Sequence, residues 1–323
     1  MAIEIKNIDE TKVKEFIGLI KNHKEIFIMG HKNPDADCFG AAVSILDFIN
    51  SYNNNSKIIL NHVSRNIKNI YKYINLKEKF ITKNKDIDIK SIDNFLLVIV
   101  DTNRESLVEN RIILKKSKAT VIFDHHEEYF DSIKKAIIRF QDVDNSSTCE
   151  IITEICFRNK KIKKKIANLL LAGITVDSKN FSMNTTSITH EIASFLILNK
   201  ANPLTIKKLF QQNLNKYKEK LDSMNKLKII KKSIAIMTTE DSSLVAILSD
   251  ELLNIKNIET SFVICLLKKK IIISARSLGS IDTQKIMQKF NGGGHINSSA
   301  AQVKSDNPKK IITLLKKAIR ENS

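Results

Sequence analysis

Apolar residues fall into short unbroken runs separated by stretches with helical spacing. Ile26-Phe27-Ile28-Met29, Phe95-Leu96-Leu97-Val98-Ile99-Val100 and Val121-Ile122-Phe123 are continuous rather than alternating, as in strands buried on both faces. A further strand is predicted over 57–63. Val13, Phe16, Ile17 and Ile20 mark one helix before the first strand, and Cys38, Ala41, Ala42, Ile45, Leu46 and Ile49 mark a second after it. A third helix is predicted over 105–116. Strands alternating with helices predict a parallel sheet covered on both faces, an α/β fold. Three more helices are predicted beyond it: 146–156, opened by hydroxyl residues, the almost wholly apolar 166–176, and 189–199. Leu209, Phe210, Leu214, Tyr217, Leu221, Met224 and Leu227 predict one long helix from residue 204 to 230. The remainder predicts a smaller α/β domain. Its strand 234–238 and helix 244–253 lead to a hairpin of 261–267 with 271–275 through Lys268-Lys269-Lys270, then a helix 282–290, a strand 300–303 and a closing helix from Pro308.

The length of 323 residues allows two sizeable cores. Domains are therefore expected over 1–200 and 231–323, with 201–230 as a linking helix. At 42% hydrophobic and 27% charged residues the composition is that of a globular chain. No apolar run nears the roughly 18 residues of a membrane span, and acids already occur between Met1 and Glu10, so a cytoplasmic protein without a membrane partner is expected. Cys38, Cys149, Cys156 and Cys265 form no CxxC pair, which argues against a disulfide framework and a zinc-thiolate site. They read as small buried hydrophobes. The formal net charge of +18 attracts polyanions. Only seven of the 53 basic residues are arginine, and lysines run through every segment. That is a compositional bias rather than a stripe for long nucleic acid, and it leaves a small anionic substrate as the expectation.

Chemistry concentrates where the predicted strands end. The first buried run leads into His31-Lys32-Asn33-Pro34-Asp35-Ala36-Asp37, the second into Asp101, the third into Asp124-His125-His126, and the apolar helix 166–176 into Asp177. In parallel sheets ligands bind beyond the carboxyl ends of the strands. His31, Asp35, Asp37, Asp101, His125 and Asp177 supply four carboxylates and two imidazoles, donors that suit Mn2+ or Mg2+ and suffice for two ions. Two such ions about 4 Å apart activate a water and clamp the oxygens of a displacement at phosphorus. Gly292-Gly293-Gly294 allows backbone N–H groups close to an anion, or else forms a flexible turn beside His295. Arg276 offers a planar fork suited to phosphate or a base edge, or else pairs with a neighbouring acid.

The ordered set His31-x-x-Pro34-Asp35-x-Asp37, Asp101-Thr102, Asp124-His125-His126 and Asp177 resembles the four motifs of the DHH phosphoesterase superfamily. Gly292-Gly293-Gly294-His295 resembles the signature of its DHH-associated C-terminal domain. The match covers nearly the whole chain. The resemblance implies that His31, Asp35 and Asp101 hold one divalent ion and that Asp37, Asp101, His125 and Asp177 hold the other, Asp101 bridging, with Mn2+ foremost. It places His126 on the phosphate, and Asp124 behind its neighbours as an orienting group, so that Asp101, Asp124 and His126 are the catalytic candidates. Gly30 to Asp35, Ser146-Ser147 with Glu150, Ala172-Gly173-Ile174 and Ser274 to Gly279 look most like the cyclic di-AMP phosphodiesterases of the GdpP type. Ala36 departs from that group's usual Met without removing a ligand. The membrane spans, PAS domain and degenerate GGDEF domain of that type have no counterpart in this sequence, so a stand-alone enzyme of the DhhP type is expected. Candidate substrate contacts are Ser147, Glu150, Arg276, Ser277, Gly292, Gly293, Gly294 and His295. The implied function is two-metal hydrolysis of cyclic di-AMP, to pApA or AMP, in a cleft between the domains. A nanoribonuclease acting on linear di- or oligonucleotides such as pApA is the alternative. A non-catalytic receptor, a RecJ-like exonuclease and a pyrophosphatase are weaker ones, and homodimerisation stays open.

Overall fold

The computed structural model describes residues 9–157, 161–211, 213–305 and 307–322; residues 1–8, most of the stretch read above as lacking an apolar leader, lie outside them. The chain divides into two compact units, 1–211 and 212–323.

The first unit holds six strands: β1 (Ile26–Met29), β2 (Ser56–Ile59), β3 (Ile81–Thr82), β4 (Leu96–Val100), β5 (Ala119–Asp124) and β6 (Ile138–Gln141). They form one sheet in the order β3-β2-β1-β4-β5-β6, with every neighbouring pair parallel. Its helices are α1 (Glu10–Asn22), α2 (Ala36–Ile49), α3 (Lys68–Ile74), α4 (Arg111–Lys116), α5 (Thr148–Ile152), α6 (Lys164–Asp177), α7 (Ser187–Leu198) and α8 (Pro203–Leu209). The unbroken apolar runs are explained by two cores, one on each face. Ile26, Ile28, Leu96, Val98, Val100, Val121 and Phe123 pack with α1, α2, α5 and α6. Phe27, Met29, Leu97, Ile99 and Ile122 pack with Ile113 and Leu114 of α4. Alternate side chains thus bury on opposite faces, and every position in β1 and β4 is buried.

The second unit holds α9 (Leu214–Met224), β7 (Lys228–Ile230), β8 (Ile234–Thr239), α10 (Val245–Leu252), β9 (Thr260–Leu267), β10 (Lys270–Ser277), α11 (Thr283–Gln288), β11 (Gly293–His295), β12 (Ser298–Val303) and α12 (Pro308–Glu321). The strand order is β11-β12-β10-β9-β8-β7, antiparallel except for the β8–β9 pair. One face packs on α11 and α12 through Ile286, Met287, Ile311, Leu315 and Ile319. The other packs on α10 through Val245, Leu248 and Leu252. The lysine hairpin is present, Leu267 pairing with Lys270.

Three elements differ from the sequence reading. The helix predicted over 105–116 begins only at Arg111, because Asn110 caps it by accepting from the Ile112 and Ile113 amides. The residues before it tie instead to the first strand end, where His31 bridges to Val108. The single helix predicted over 204–230 is α8, α9 and the edge strand β7; Asn213 caps α9 and starts it afresh. The helix predicted over 146–156 is α5 continued by a π-helical turn, Thr153–Phe157. No described helix is long and apolar enough to cross a membrane.

Candidate metal centre

The strand order of the first unit reverses between β1 and β4. The crossover helix α2 leaves β1 towards one core, and α4 leaves β4 towards the other. Their connections part at the carboxyl ends of two adjacent strands, which opens a crevice there. His31 follows β1, Asp101 follows β4, and Asp124 is the last residue of β5. The loop after β1 is pinned across this crevice by Lys32 N–H donating to Leu107 O at 2.8 Å and Glu109 N–H to Gly30 O at 3.0 Å.

Helices bring in the remaining acids. Asp35 is the N-cap of α2 and accepts from the Cys38 amide at 3.0 Å. Asp37, in the first turn, is fully buried, and its two oxygens accept from the Thr148 and Cys149 amides at 2.8 Å each. It therefore also anchors the N-terminus of α5, where a negative charge is favoured. Gly173 of α6 makes room: a Cβ there would lie 2.5 Å from Cys149 Sγ and 2.7 Å from Asp37 Oδ1. Asp177 ends α6.

These elements gather five of the six predicted ligands into three donor groups: His31, Cys38 and Asp101; Asp101, His125 and His126; Asp37, His125 and Asp177. Asp101 and His125 are shared between groups. Asp35 stands just outside them, 4.0 Å from His31 Nε2. His31 Nε2 lies 3.3 Å from Asp101 Oδ2. His31 Nδ1 lies 2.8 Å from the Lys32 carbonyl, which only accepts, so Nδ1 carries a proton and Nε2 is the nitrogen that a cation would take. His125 Nε2 lies 3.3 Å from Asp177 Oδ2 and 3.7 Å from Asp101 Oδ1, yet it is buried without a hydrogen-bond partner among the described residues. A buried imidazole nitrogen left unbonded between two carboxylates is costly unless a cation completes the arrangement. The donor set fits the divalent ions that the resemblance implies.

Electrostatics point the same way. Burial, and then the charge of Asp37, push the Asp101 carboxyl up to about 8. Burial, then Asp37 and Asp35, raise Asp177 well above the carboxylate range. Several acids forced together in a dry crevice repel one another, and a divalent ion relieves both penalties.

Asp124 and His126 form a pair beside this centre. Asp124, fully buried, binds His126 Nδ1 at 2.8 Å. Burial disfavours charge on His126, but this hydrogen bond together with the charges of Asp101 and Asp124 more than offsets it, and its pKa is raised. The His126 carbonyl accepts from Gln141 Nε2 at 2.7 Å and from Asn103 Nδ2 at 3.2 Å. Asn103, Gln141, Cys38 and Thr148, whose hydroxyl donates to Asp101 at 3.1 Å, were missed from sequence. Thr148 alone had a signal, as part of the hydroxyl run read only as a helix cap.

Several of the candidate substrate contacts hold local structure. Ser147 caps α5 by accepting from the Glu150 amide at 3.1 Å, and Glu150 accepts from the Ser146 amide and hydroxyl. Both side chains are fully buried. In the second unit, Ser277 is likewise buried, its hydroxyl accepting from the Gly279 and Ile281 amides. Arg276 donates to Asp250 at 2.9 Å and to Ser274 and the Ala275 carbonyl at 3.0 Å, so the neighbouring-acid alternative describes its contacts. The triglycine is not a flexible turn: β11 pairs with β12. Gly292 and Gly294 have no space for a Cβ against β12, and Gly294 has φ +137, whereas Gly293 faces open space. His295, also in β11, is exposed.

Comparison with known proteins matches residues 25–174 to the DHH family, N-terminal domain, and residues 230–321 to the DHHA1 domain. The chain is 33% identical over 320 residues to the cyclic-di-AMP phosphodiesterase GdpP of Bacillus subtilis, covering 94% of this chain and 48% of that protein. It is 28% identical to the bifunctional oligoribonuclease and PAP phosphatase NrnA of Mycoplasma genitalium, over 96% of this chain and 97% of that one. The fold is shared with an exopolyphosphatase-related protein from Bacteroides fragilis, at a TM-score of 0.85, 19% identity and 98% coverage of each chain. The chain spans about half the length of the cyclic-di-AMP phosphodiesterases that it matches. The chain carries the N-terminal domain of the DHH family followed by a DHHA1 domain.

Proposed function

We propose that the chain is a phosphodiesterase that hydrolyses cyclic di-AMP and uses two divalent ions, Mn2+ foremost. The observation that carries this is His125 Nε2, buried and unbonded between the carboxylates of Asp101 and Asp177. His31, Asp35 and Asp101 would hold one ion, and Asp37, Asp101, His125 and Asp177 the other. Ions held there supply charge neutralisation at phosphorus oxygens and a more acidic water. The protein supplies the rest. Thr148 and the amides that bind Asp37 fix the carboxylates in place. Asp124 holds His126 through Nδ1 and favours its protonated form, leaving Nε2 to donate to a phosphate oxygen. In the DHHA1 domain, Gly293 is the position of the triglycine where a ligand can approach the backbone.

The choice of substrate is supported by the similarity to GdpP. A second reading, a nanoribonuclease acting on short linear substrates such as pApA, is supported by the similarity to NrnA, which the chain covers nearly end to end. Values of kcat/KM measured side by side with Mn2+ on cyclic di-AMP, cyclic di-GMP, pApA and a short single strand separate the two. Cyclic di-AMP is expected to be preferred. A preference for the linear substrates by more than about tenfold, roughly 1.4 kcal/mol of transition-state binding, would establish the second reading instead.

A further inference from the structure

Cys38 is buried, as expected, but its surroundings are not those of a core hydrophobe. Its sulfur, an imidazole nitrogen of His31 and a carboxylate oxygen of Asp101 all lie within 4.8 Å of one another. Local structure fixes the thiol there. Cys38 sits in the first turn of α2 with its amide held by Asp35. Gly30, the last residue before His31, leaves the sulfur its space: a Cβ at position 30 would collide with Cys38 Sγ.

We propose that Cys38 is a ligand of the ion held by His31 and Asp101, and that it biases this position towards Zn2+ over Mn2+. The inference rests on the two-ion reading of the same centre. With Asp35 the donors become one imidazole, two carboxylates and a thiolate, four ligands of the kind that zinc takes in tetrahedral sites. Soft sulfur favours zinc, whereas oxygen donors suit manganese. Donors on one tetrahedral zinc lie about 3.5 Å apart, from metal–sulfur and metal–nitrogen distances of about 2.3 and 2.0 Å. His31 Nε2 and Asp101 Oδ2 already stand 3.3 Å apart. Coordination replaces the S–H bond by a metal–sulfur bond and releases the proton to solvent. The two ion positions are then chemically unequal. The group of Asp37, His125 and Asp177 contains only nitrogen and oxygen donors, so the thiol distinguishes the His31 side alone.

The test is reconstitution of the chelated, full-length chain with Co2+, together with Zn2+ competition against Mn2+. The unsubstituted chain is expected to show a near-ultraviolet sulfur-to-cobalt charge-transfer band. Cys38→Ser is expected to lose it and to lower the affinity for Zn2+ relative to Mn2+ by about tenfold or more, while Cys265→Ser keeps the band. If Cys38→Ser does not fold, X-ray absorption of the Zn2+-loaded unsubstituted chain decides, with a sulfur neighbour near 2.3 Å expected. Metal binding without a sulfur signal, or a band that survives Cys38→Ser, overturns the role of Cys38 and leaves the two-ion reading standing. Failure of the unsubstituted chain to bind Mn2+, Co2+ or Zn2+ overturns both.

Discussion

Asp101 concentrates both the charge and the backbone strain of the centre. It adopts φ +59, a left-handed conformation that aspartate tolerates better than most residues at a cost of about 1 kcal/mol or more. Its amide still donates to Phe123 O at 2.9 Å, so β5 holds the strained residue in place. Its carboxyl sets a pH dependence. In the cation-free fold it titrates near 8, against about 4 in an unfolded chain. Between those values the folded state keeps a proton that the unfolded state has lost, so stability falls as pH rises. Asp177, raised by the same kind of crowding, adds in the same direction. Chelated protein is therefore expected to melt at a lower temperature at about pH 8 than at about pH 5.5, with Mn2+ shrinking the difference. A melting temperature that climbs across that interval without metal would show that these carboxylates are not strained together. At this scale the motif residues were legible because each follows an unbroken apolar run. Cys38 was not, because its place in an apolar helical stripe made it look like core, and the anchoring part of Asp37 depends on α5, which lies more than a hundred residues away in sequence.

The helices around the centre are positioned by their small residues. A Cβ on Gly40 of α2 would sit 3.0 Å from the Leu169 carbonyl of α6, and Gly173 of α6 faces Asp37 and Cys149 with still less room. Close backbone approach is what lets Asp37 reach the α5 amides while remaining beside His125 and Asp177. Gly173→Ala is expected to destabilise the chain by about 1–3 kcal/mol through overpacking and to weaken Mn2+ binding along with it. A loss of stability with unchanged metal affinity, measured by melting and by titration, would separate this helix contact from the centre. The continuous strands were readable from the sequence. The short strands β3 and β6 and the helix α3 were not, since two to seven residues carry too little periodicity. The split of 204–230 was hidden because apolar spacing continues through it, and the Asn213 cap overrides that spacing.

At the scale of the molecule, two compact units each close their own core around a sheet, and the candidate metal centre is built by the first from β1, β4, β5 and the ends of α2 and α6. The two-part α/β architecture was legible because both halves alternate strands and helices. The net charge of +18 favours an anionic substrate through long-range attraction but selects none, so the choice among phosphodiesters rests on the centre and on the likeness to GdpP and NrnA. Asp101, shared between the two proposed ion positions, is expected to be indispensable for hydrolysis. Turnover of cyclic di-AMP by Asp101→Asn in Mn2+-replete buffer, with folding verified by circular dichroism, tests it most directly. The variant is expected to fold, with turnover reduced about a thousandfold or more; a folded variant retaining a rate within about tenfold of the unsubstituted chain would rule out the shared role of Asp101.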